Sequence, residues 1–419
     1  MPRRIASNSL FRFGTESAAG PAQRIAKAPS RAVAAPAPDT INLVTTRLGF
    51  EVLEAEWNAL FERAGRGEQM FQTFNWLWHW ANHFQAENTQ SLAIVTVRRQ
   101  SRLIAILPFC LENVAGLQQL VFMGAPVSQY GDVLVDQIGD RLDTLDRAIR
   151  FAVAETRAVV VRLTKVRDDA AIAPVLERFR TEMTGFEEAP FADLARAETL
   201  ERFNGRFSRK CLKNRRRQAR RLEDHGATGL DWTLYGDAAA DGARTAMALK
   251  RGWLKVRGHV SRAFADTRTD DFFADVCNSG ARPAGAQVSL LTSGGEVANA
   301  VIAITVKGRQ AIHILAYGLK FEKCAAGLLH IERLVEHAFE TGVATLDFLA
   351  PRHEYKLEWT DGSMRVADYA IPVTLVGKIF TDVYLKFARE HIKTAVKAAP
   401  DAFKKHRTMM QSALKYIHR

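Results

Sequence analysis

The chain has 419 residues, 47% of them apolar and 25% charged, with a formal net charge of +12. That length suits two or three domains, and the composition is that of an ordinary globular protein rather than a disordered or collagen-like one. Cys110, Cys211, Cys277 and Cys324 stand far apart with no C-x-x-C pair, which speaks against a zinc ribbon or a disulfide framework and suits a reducing cytosol.

No apolar run approaches the roughly 18 residues of a membrane span. Residues 1–40 set Arg3, Arg4, Arg12, Arg24, Lys27 and Arg31 among Ala, Pro and Ser, with only Glu16 and Asp39 opposing. Such a segment buries too little apolar surface to repay ordering, so it reads as a disordered basic tail. It lacks the apolar core of a secretory signal, although an organelle transit peptide has a similar acid-poor composition.

Helices are predicted over Phe50–Arg63 and Phe71–Phe84. The second is dense in aromatics (Phe71, Phe74, Trp76, Trp78, Trp80, Phe84) and fits either a core-facing helix or a ligand box. Leu92–Val97 and Leu103–Leu111 read as a hairpin, Leu117–Met123 as a third strand and Val133–Asp136 as a short one. Arg141–Thr156 has the helical period, Val159–Leu163 is a buried-type strand, and Ala171–Arg180 reads as another helix.

Arg206–Arg221 holds nine basic residues in sixteen and reads as a helix ending near Gly226. It fits a solvated helix face, a clamp for ligand phosphates, a nucleic-acid contact or a membrane-surface contact. Helices follow at about Gly236–Val256 and Thr269–Asn278, then strands at Gln287–Thr292, Val297–Val306 and Ala311–Tyr317, with glycine in both turns. From Gly327 the period turns helical through Leu328, Ile331, Leu334, Val335, Ala338 and Phe339. Gly342 closes this helix, and Thr345–Leu349 returns to strand. A glycine at the helix entry of such a unit makes a cradle for an anionic ligand.

Both halves thus run two helices, a hairpin, a third strand, a helix and a strand. That order predicts a structural duplication of α/β units with mixed rather than doubly wound parallel sheets. The expected division is a tail at 1–40, units at 41–195 and 236–375 joined by a basic helical linker at 196–235, and basic C-terminal helices at 376–419. Pro400 divides the last segment, which suits packing on the body or anchoring to acidic lipid head groups. No G-x-G-x-x-G or G-x-x-x-x-G-K-[ST] is placed to bind a dinucleotide or a nucleotide triphosphate.

Several pieces recur together: Trp57-Asn58-Ala59-Leu60, Phe74-Asn75-Trp76-Leu77-Trp78-His79-Trp80, Ile106-Leu107-Pro108-Phe109 and Tyr130-Gly131-Asp132. They continue with Arg221-Leu222-Glu223-Asp224-His225-Gly226, Trp253, Tyr317, Gly327-Leu328-Leu329, Leu346-Asp347-Phe348-Leu349, and Glu354-Tyr355-Lys356 with Trp359. In this order, over about Trp57 to Tyr369, the chain resembles bacterial acyltransferases of the CelD/BcsL type. That family lies in the GNAT superfamily and is related to the Fem-type aminoacyl transferases.

The resemblance implies an α/β (α+β) fold of tandem GNAT-like units and an N-acyltransferase, an acetyltransferase in the first instance, of cellulose or exopolysaccharide biosynthesis; the cysteine usage and the basic C-terminal helices add the expectation of a cytoplasmic protein with peripheral contact at the inner membrane face. Acetyl-CoA or another acyl-CoA would be the co-substrate, no metal is expected, and the acceptor would be an amine of a sugar, a polysaccharide precursor or another small molecule. The donor would lie along Ala316 and Tyr317, with its pyrophosphate at Lys323, Ala325, Ala326, Gly327 and Leu328. Glu354 and Asp347 are candidate bases, as is His313, and Tyr355 is the candidate acid toward the leaving thiolate. Tyr130, Asp132, Trp253 and Lys356 are assigned to the substrate. The run Glu322-Lys323-Cys324-Ala325-Ala326-Gly327 departs from the superfamily's Q/R-x-x-G-x-G/A loop, which leaves a non-CoA donor open. Two alternatives remain: a Fem-like transferase using aminoacyl-tRNA, and a non-catalytic module of an envelope-polysaccharide assembly.

Overall fold

The computed structural model describes residues 39–388 apart from 86–89, 115, 234, 260 and 281–284. The basic tail and the helices expected beyond residue 388 lie outside the described residues. The strands are β1 (Thr40–Val44), β2 (Gln90–Leu92), β3 (Ile94–Arg99), β4 (Arg102–Leu107), β5 (Phe109–Val114), β6 (Leu117–Phe122), β7 (Leu134–Val135), β8 (Val160–Arg167), β9 (Glu182–Asp193), β10 (Thr228–Thr233), β11 (Gly285–Ser293), β12 (Glu296–Val306), β13 (Arg309–Tyr317), β14 (Thr345–Asp347) and β15 (Gly362–Pro372). The longer helices are α1 (Glu54–Ala64), α2 (Phe74–Phe84), α3 (Arg141–Thr156), α4 (Arg209–Glu223), α5 (Asp237–Val256), α6 (Arg268–Ser279) and α7 (Ala326–Glu340).

Strands β1, β3, β4 and β7 form a small sheet, and the other eleven form one large sheet ordered β10-β11-β12-β13-β14-β9-β15-β8-β6-β5-β2. Two neighbours in the large sheet are parallel, β6 with β8 and β13 with β14, and each crossover carries a helix, α3 or α7. The same order, antiparallel pair then helix then parallel strand, therefore occurs twice, in a mixed sheet. The last strand of each half crosses over: β9 pairs with β14 of the second half, β15 pairs with β8 of the first, and β9 and β15 pair with each other.

Local chemistry explains where the elements differ from expectation. Leu103–Leu111 is cut at Pro108, so that β4 ends at Leu107 in the small sheet and β5 starts at Phe109 in the large one; proline has no N–H for a ladder. Helix α2 begins only at Phe74, after a 3-10 turn, with the Thr73 hydroxyl accepting from Trp76 N. Ala171–Arg180 narrows to a 3-10 turn at Ala173–Arg178. Strands β1, β9, β10 and β15 were not foreseen.

The aromatic helix serves the core. Trp76 and Trp80 are buried, and their indole N–H groups donate to Ser128 Oγ (2.9 Å) and Ala125 O (2.8 Å), which ties down the loop after β6. In the second half, α5 and α6 cover one sheet face. On the other face, Ile331, Leu334, Val335 and Ala338 of α7 pack on Val301, Ala303, Ile312 and Leu346. Each fully buried side chain of leucine or isoleucine size contributes about 1.5–3 kcal/mol.

Helix α4 is held by a few contacts. Ser208 caps it, accepting from Cys211 N. The Arg215 guanidinium lies between the rings of Phe207 and Trp359, at 3.8 and 3.9 Å from their centroids. Leu222 packs with Phe321, Cys324 and Ala326. Arg209, Lys210, Lys213, Arg216, Arg217, Arg220 and Arg221 are exposed. Arg217 donates to Asn214, and none of the seven forms an ion pair with a described carboxylate.

Candidate functional site

The large sheet opens beside α7. β13 pairs with β14 only at Arg309–Thr345, Gln310–Leu346 and Ala311–Asp347, whereas its other edge stays paired with β12 as far as Tyr317. A register shift against Ile302 and Ala303 leaves His313 as the extra residue of β13. The carboxyl ends of two parallel strands that part in this way are a place where α/β sheets take ligands.

Helix α7 starts at this opening without a side-chain cap, after Ala325 in the left-handed region (φ +52°). The first N–H groups of a helix have no partner within it and favour an anion. A Cβ on Gly327 would lie 3.5 Å from Asn299 Nδ2 and 3.9 Å from Leu315 Cδ2, ordinary contacts rather than clashes. Asn299 is fully buried. Its Oδ1 accepts from His330 Nδ1 (2.7 Å), and His330 Nε2 takes the Ser289 hydroxyl (2.8 Å). Burial pushes the His330 imidazole down to about 3, so it is neutral. Asn299 Nδ2 has no partner and lies against Gly327. The sequence reading missed this Asn299–His330–Ser289 chain, whose one signal is an amide inside the apolar run of β12.

The remaining donor candidates gather around the same corner. Ala316 is buried and Lys323 exposed. Tyr317 Oη accepts from Trp253 Nε1 (2.8 Å) and from Arg257 (3.1 Å), and Arg257 also pairs with Glu322. Trp253 of α5 is thereby joined to the end of β13, with Lys250 Nζ 4.9 Å from its ring centre. Lys250 itself was not foreseen; it reaches the Leu315 carbonyl at 3.4 Å, and burial lowers its pKa.

Lys356 faces Lys250 from the other side of the opening. It is 6% exposed and donates to the carbonyls of Leu349 and Pro351, both at 2.8 Å. Burial first, and Lys250 in part, bring its ammonium down to about 8, against the pull of Asp347. Glu354 and Tyr355 begin the same short helix, Glu354–Leu357. Glu354 is exposed. Tyr355 keeps 38% of its surface exposed, yet desolvation pushes its phenol up to about 12. His353 stacks on Tyr355 at 6.2 Å, and burial followed by Lys356 and Lys250 lowers its pKa, favouring the free base.

Asp347, Tyr130 and Asp132 do a different job. Asp347 is fully buried. Its Oδ1 accepts from Tyr130 Oη and Leu349 N (both 2.9 Å), its Oδ2 accepts from Arg309 (2.8 Å), and Arg167 stands at 3.7 Å. Arg309 also reaches Glu68 (2.8 Å), so the cluster ties the two halves together and leaves Asp347 poorly placed to take a proton from an acceptor. Burial and Asp347 hold the Tyr130 phenol well above its ordinary value. Asp132 is wrapped by Gln69 Nε2 and the N–H groups of Val133, Ala171 and Ile172, with burial raising its pKa. Tyr130 and Asp132, expected at the substrate, therefore have their polar atoms committed to the protein. His313 gives Nε2 to the Val127 carbonyl (2.7 Å) among Phe71, Trp76 and Phe273, and burial pushes it down to about 4.

A cavity of about 300 Å³ is lined by Gln129, Tyr130, Arg162 and Lys165 of the first half and by Ser261, Ala263 and Asp368 of the second. No residue of α7, β13 or the Glu354–Leu357 helix lines it, so it is separate from the sheet opening.

Residues 209–357 match a family model described as an acetyltransferase (GNAT) domain; the match runs from the first residue of α4 to the last of the Glu354–Leu357 helix. Solved structures with a similar fold include FemX, at 11% identity and TM-score 0.56, covering 79% of this chain and 98% of that one. The C-terminal domain of a putative lysylphosphatidylglycerol synthetase from Agrobacterium fabrum follows at 11% identity and TM-score 0.49, covering 80% and 95%. No curated sequence matches. At this identity the likeness to FemX speaks to fold alone. The chain thus has a tandem GNAT-like fold, and its residues 209–357 are similar to a GNAT acetyltransferase domain.

Proposed function

We propose that the protein is an acyl-CoA-dependent N-acyltransferase that binds its donor in the opening between β13 and β14. The carrying observation is the parting of these strands after three paired residues, beside an uncapped α7 whose first turn faces an unpartnered Asn299 amide. Those groups fit a phosphorylated donor: backbone N–H groups from Ala326 and Gly327 for the pyrophosphate, Lys323 near the phosphates, and the Ala316–Tyr317 end of β13 for the pantetheine arm. When bound, acyl-CoA supplies an acyl group already activated as a thioester.

The chain's own residues do the rest. Lys250 and Lys356 set positive charge on both sides of the opening, where negative charge on the acyl oxygen is favoured. The acceptor amine gives its proton to Glu354 or to the neutral His353 imidazole. Tyr355, protonated at neutral pH, stands beside them as the acid for the leaving sulfur. Trp253 floors the acceptor side. We take the acceptor to be an amine of a sugar, a polysaccharide precursor or another small molecule.

The test is thermal stabilisation by CoA, acetyl-CoA and longer acyl-CoAs, compared between wild type and Gly327→Trp. Stabilisation by at least one species, lost in the variant, is expected. No stabilisation by any of them overturns the donor assignment, and stabilisation that survives Gly327→Trp moves the donor elsewhere.

One observation favours a second reading. The seven exposed cations of α4, none in an ion pair with a described carboxylate, end where Leu222 packs on Cys324 and Ala326, next to the start of α7, which suits a donor with a long polyanionic arm such as aminoacyl-tRNA. That reading requires strongly salt-dependent RNA binding, with a slope that shrinks by about 0.7–0.9 for each phosphate-binding cation removed from α4.

A further inference from the structure

The first half has a strand opening of its own. Its parallel pair, β6 and β8, is matched only at Gln119–Val160, Leu120–Val161 and Val121–Arg162, and β8 runs on to Arg167 after β6 has ended at Phe122. The cavity of about 300 Å³ lies at this parting: Val121, Phe122 and Met123 line it from the end of β6, and Arg162, Thr164 and Lys165 from β8. It is thus the counterpart of the opening between β13 and β14, at the carboxyl ends of parallel strands where α/β sheets take ligands. Its volume stands at the lower end of the roughly 300–1,000 Å³ of small-molecule pockets.

The strand that walls it is irregular at this point. Val166 pairs with Ala367 and Leu163 with Tyr369, so Thr164 and Lys165 together oppose Asp368 in a bulge. Lys165 adopts the left-handed region there (φ +58°), a strained backbone of the kind that gathers at binding sites. Its N–H donates to Asp368 Oδ1 (2.8 Å), and its Nζ donates to the Ser128 carbonyl (3.1 Å) and Gln129 Oε1 (2.8 Å). Arg162, 9% exposed, donates to Glu112 (2.6 Å), another lining residue, but its Nε has no partner. Gln119, fully buried and opposite Glu112 in the β5–β6 ladder, has neither amide atom paired. Buried polar atoms left unmet are costly, so the surroundings of Arg162 call for a bound polar molecule.

We propose that this cavity binds a neutral, polyhydroxylated molecule the size of one sugar ring. The charges of its lining cancel: Glu112 pairs with Arg162, and Lys165 is bonded to Asp368, so an ionic ligand would meet its own sign beside its partner. Helix α3, which stands where α7 does in the other half, lines none of the cavity. It carries Asp140 and Asp143 at its start, which repel a phosphate rather than cradle it. The lining instead sets donors and acceptors close together, and a hydroxyl gives and takes a hydrogen bond at one atom. Phe122, Met123 and Pro126 add apolar surface for the C–H face of a ring. Tyr130 also lines the cavity, and its hydroxyl donates to Asp347, the last residue of β14. One side chain thus runs from the cavity to a strand that bounds the other opening.

The test is isothermal titration calorimetry of the full chain with glucose, N-acetylglucosamine and myo-inositol, and with glycine and inorganic phosphate as charged controls. Binding of at least one of the three polyols and of neither control is expected. Glu112→Met/Arg162→Met should weaken it about ten-fold or more, since it removes hydrogen bonds to charged groups. Replacing both members of a buried ion pair by apolar side chains of similar size is often neutral for stability, and circular dichroism checks that the variant folds. Gln129→Ala, at a half-buried position, should also weaken binding and gives the reading if the double variant does not fold. No binding of any polyol overturns the inference, as does polyol binding that these substitutions leave unchanged. Binding of glycine or phosphate in place of the polyols overturns the ligand class. Loss in Trp253→Ala with the double variant unaffected overturns the site and puts the sugar at the opening between β13 and β14. No acyl-CoA enters the measurement, so its outcome is independent of the proposed donor.

Discussion

Replacing Arg309 by methionine tests how the two halves are joined. The substitution removes a 2.8 Å bond to Asp347 and another to Glu68 while keeping most of the side-chain volume. Asp347, with no exposed surface, is left with Tyr130, Leu349 N and the more distant Arg167. Stripping one partner from a buried ion pair costs about 3–5 kcal/mol. The remaining donors to Asp347 and the partial exposure of Glu68 argue for the lower end, about 3 kcal/mol. In a chain of this size that corresponds to a fall of roughly 5 °C in Tm, and chemical denaturation reads it directly as a shift in midpoint.

The pH dependence supplies a second handle. Burial works against the charged form of Glu68, but Arg309, a backbone hydrogen bond and Arg167 prevail and hold its carboxyl below the ordinary 4.5. A depressed folded-state value gives stability that is present above pH 4.5 and is lost as pH falls through the folded value. The variant lacks much of that contribution, so the gap between wild type and Arg309→Met should narrow on acidification below about pH 4.5. A loss under about 1 kcal/mol at neutral pH, or a gap that widens in acid, refutes the view of this cluster as the joint between halves.

Gly327→Ala should leave the fold intact or stabilise it by about 0.5–1 kcal/mol, because its Cβ meets only ordinary contacts within a helix; urea midpoints check this, and CoA-dependent stabilisation should persist. Tyr355→Phe should lower kcat by about 100-fold or more. With the wild-type phenol at about 12, the wild-type rate should show no basic limb from this group near pH 10, and a limb there would count against its environment as described. Lys356 titrates at about 8 against an ordinary 10.5, so between those values the unfolded chain binds the extra proton and stability should rise with pH. Urea midpoints across that window should show the rise in wild type and lack it in Lys356→Met.

The elements around the opening proposed for the donor were legible because their signals are local. Glycine turns fix the β11–β12–β13 hairpins, and the change of period at Gly327 marks α7. Strands β9 and β15 were not legible, since each mixes glycine, proline and acidic residues that read as loop, and their pairing joins residues as far apart in sequence as Phe191 and Gly362. Pro108 was visible, but which sheet each side of it would join depends on contacts with β6 and β7 that no local pattern encodes. Within the site, Glu354, Tyr355 and Lys356 stood out as a cluster. Asn299 and Lys250 did not, because one amide in an apolar strand and one lysine on a helix look ordinary until burial is known. Asp347 looked like a base at a strand end, and only the tertiary structure reveals how many donors converge on it.

The crossing of β9 and β15 has a consequence for the chain as a genetic object. Neither half owns a finished sheet: cut between them, the first half would keep β9 with nothing to receive it and leave the edge of β8 bare. Such a fragment could complete itself only by lending its final strand to a second copy. The architecture is that of a strand-swapped homodimer written on one polypeptide, so the halves are predicted to be inseparable by truncation yet free to diverge, one keeping the opening between β13 and β14 and the other serving as its scaffold.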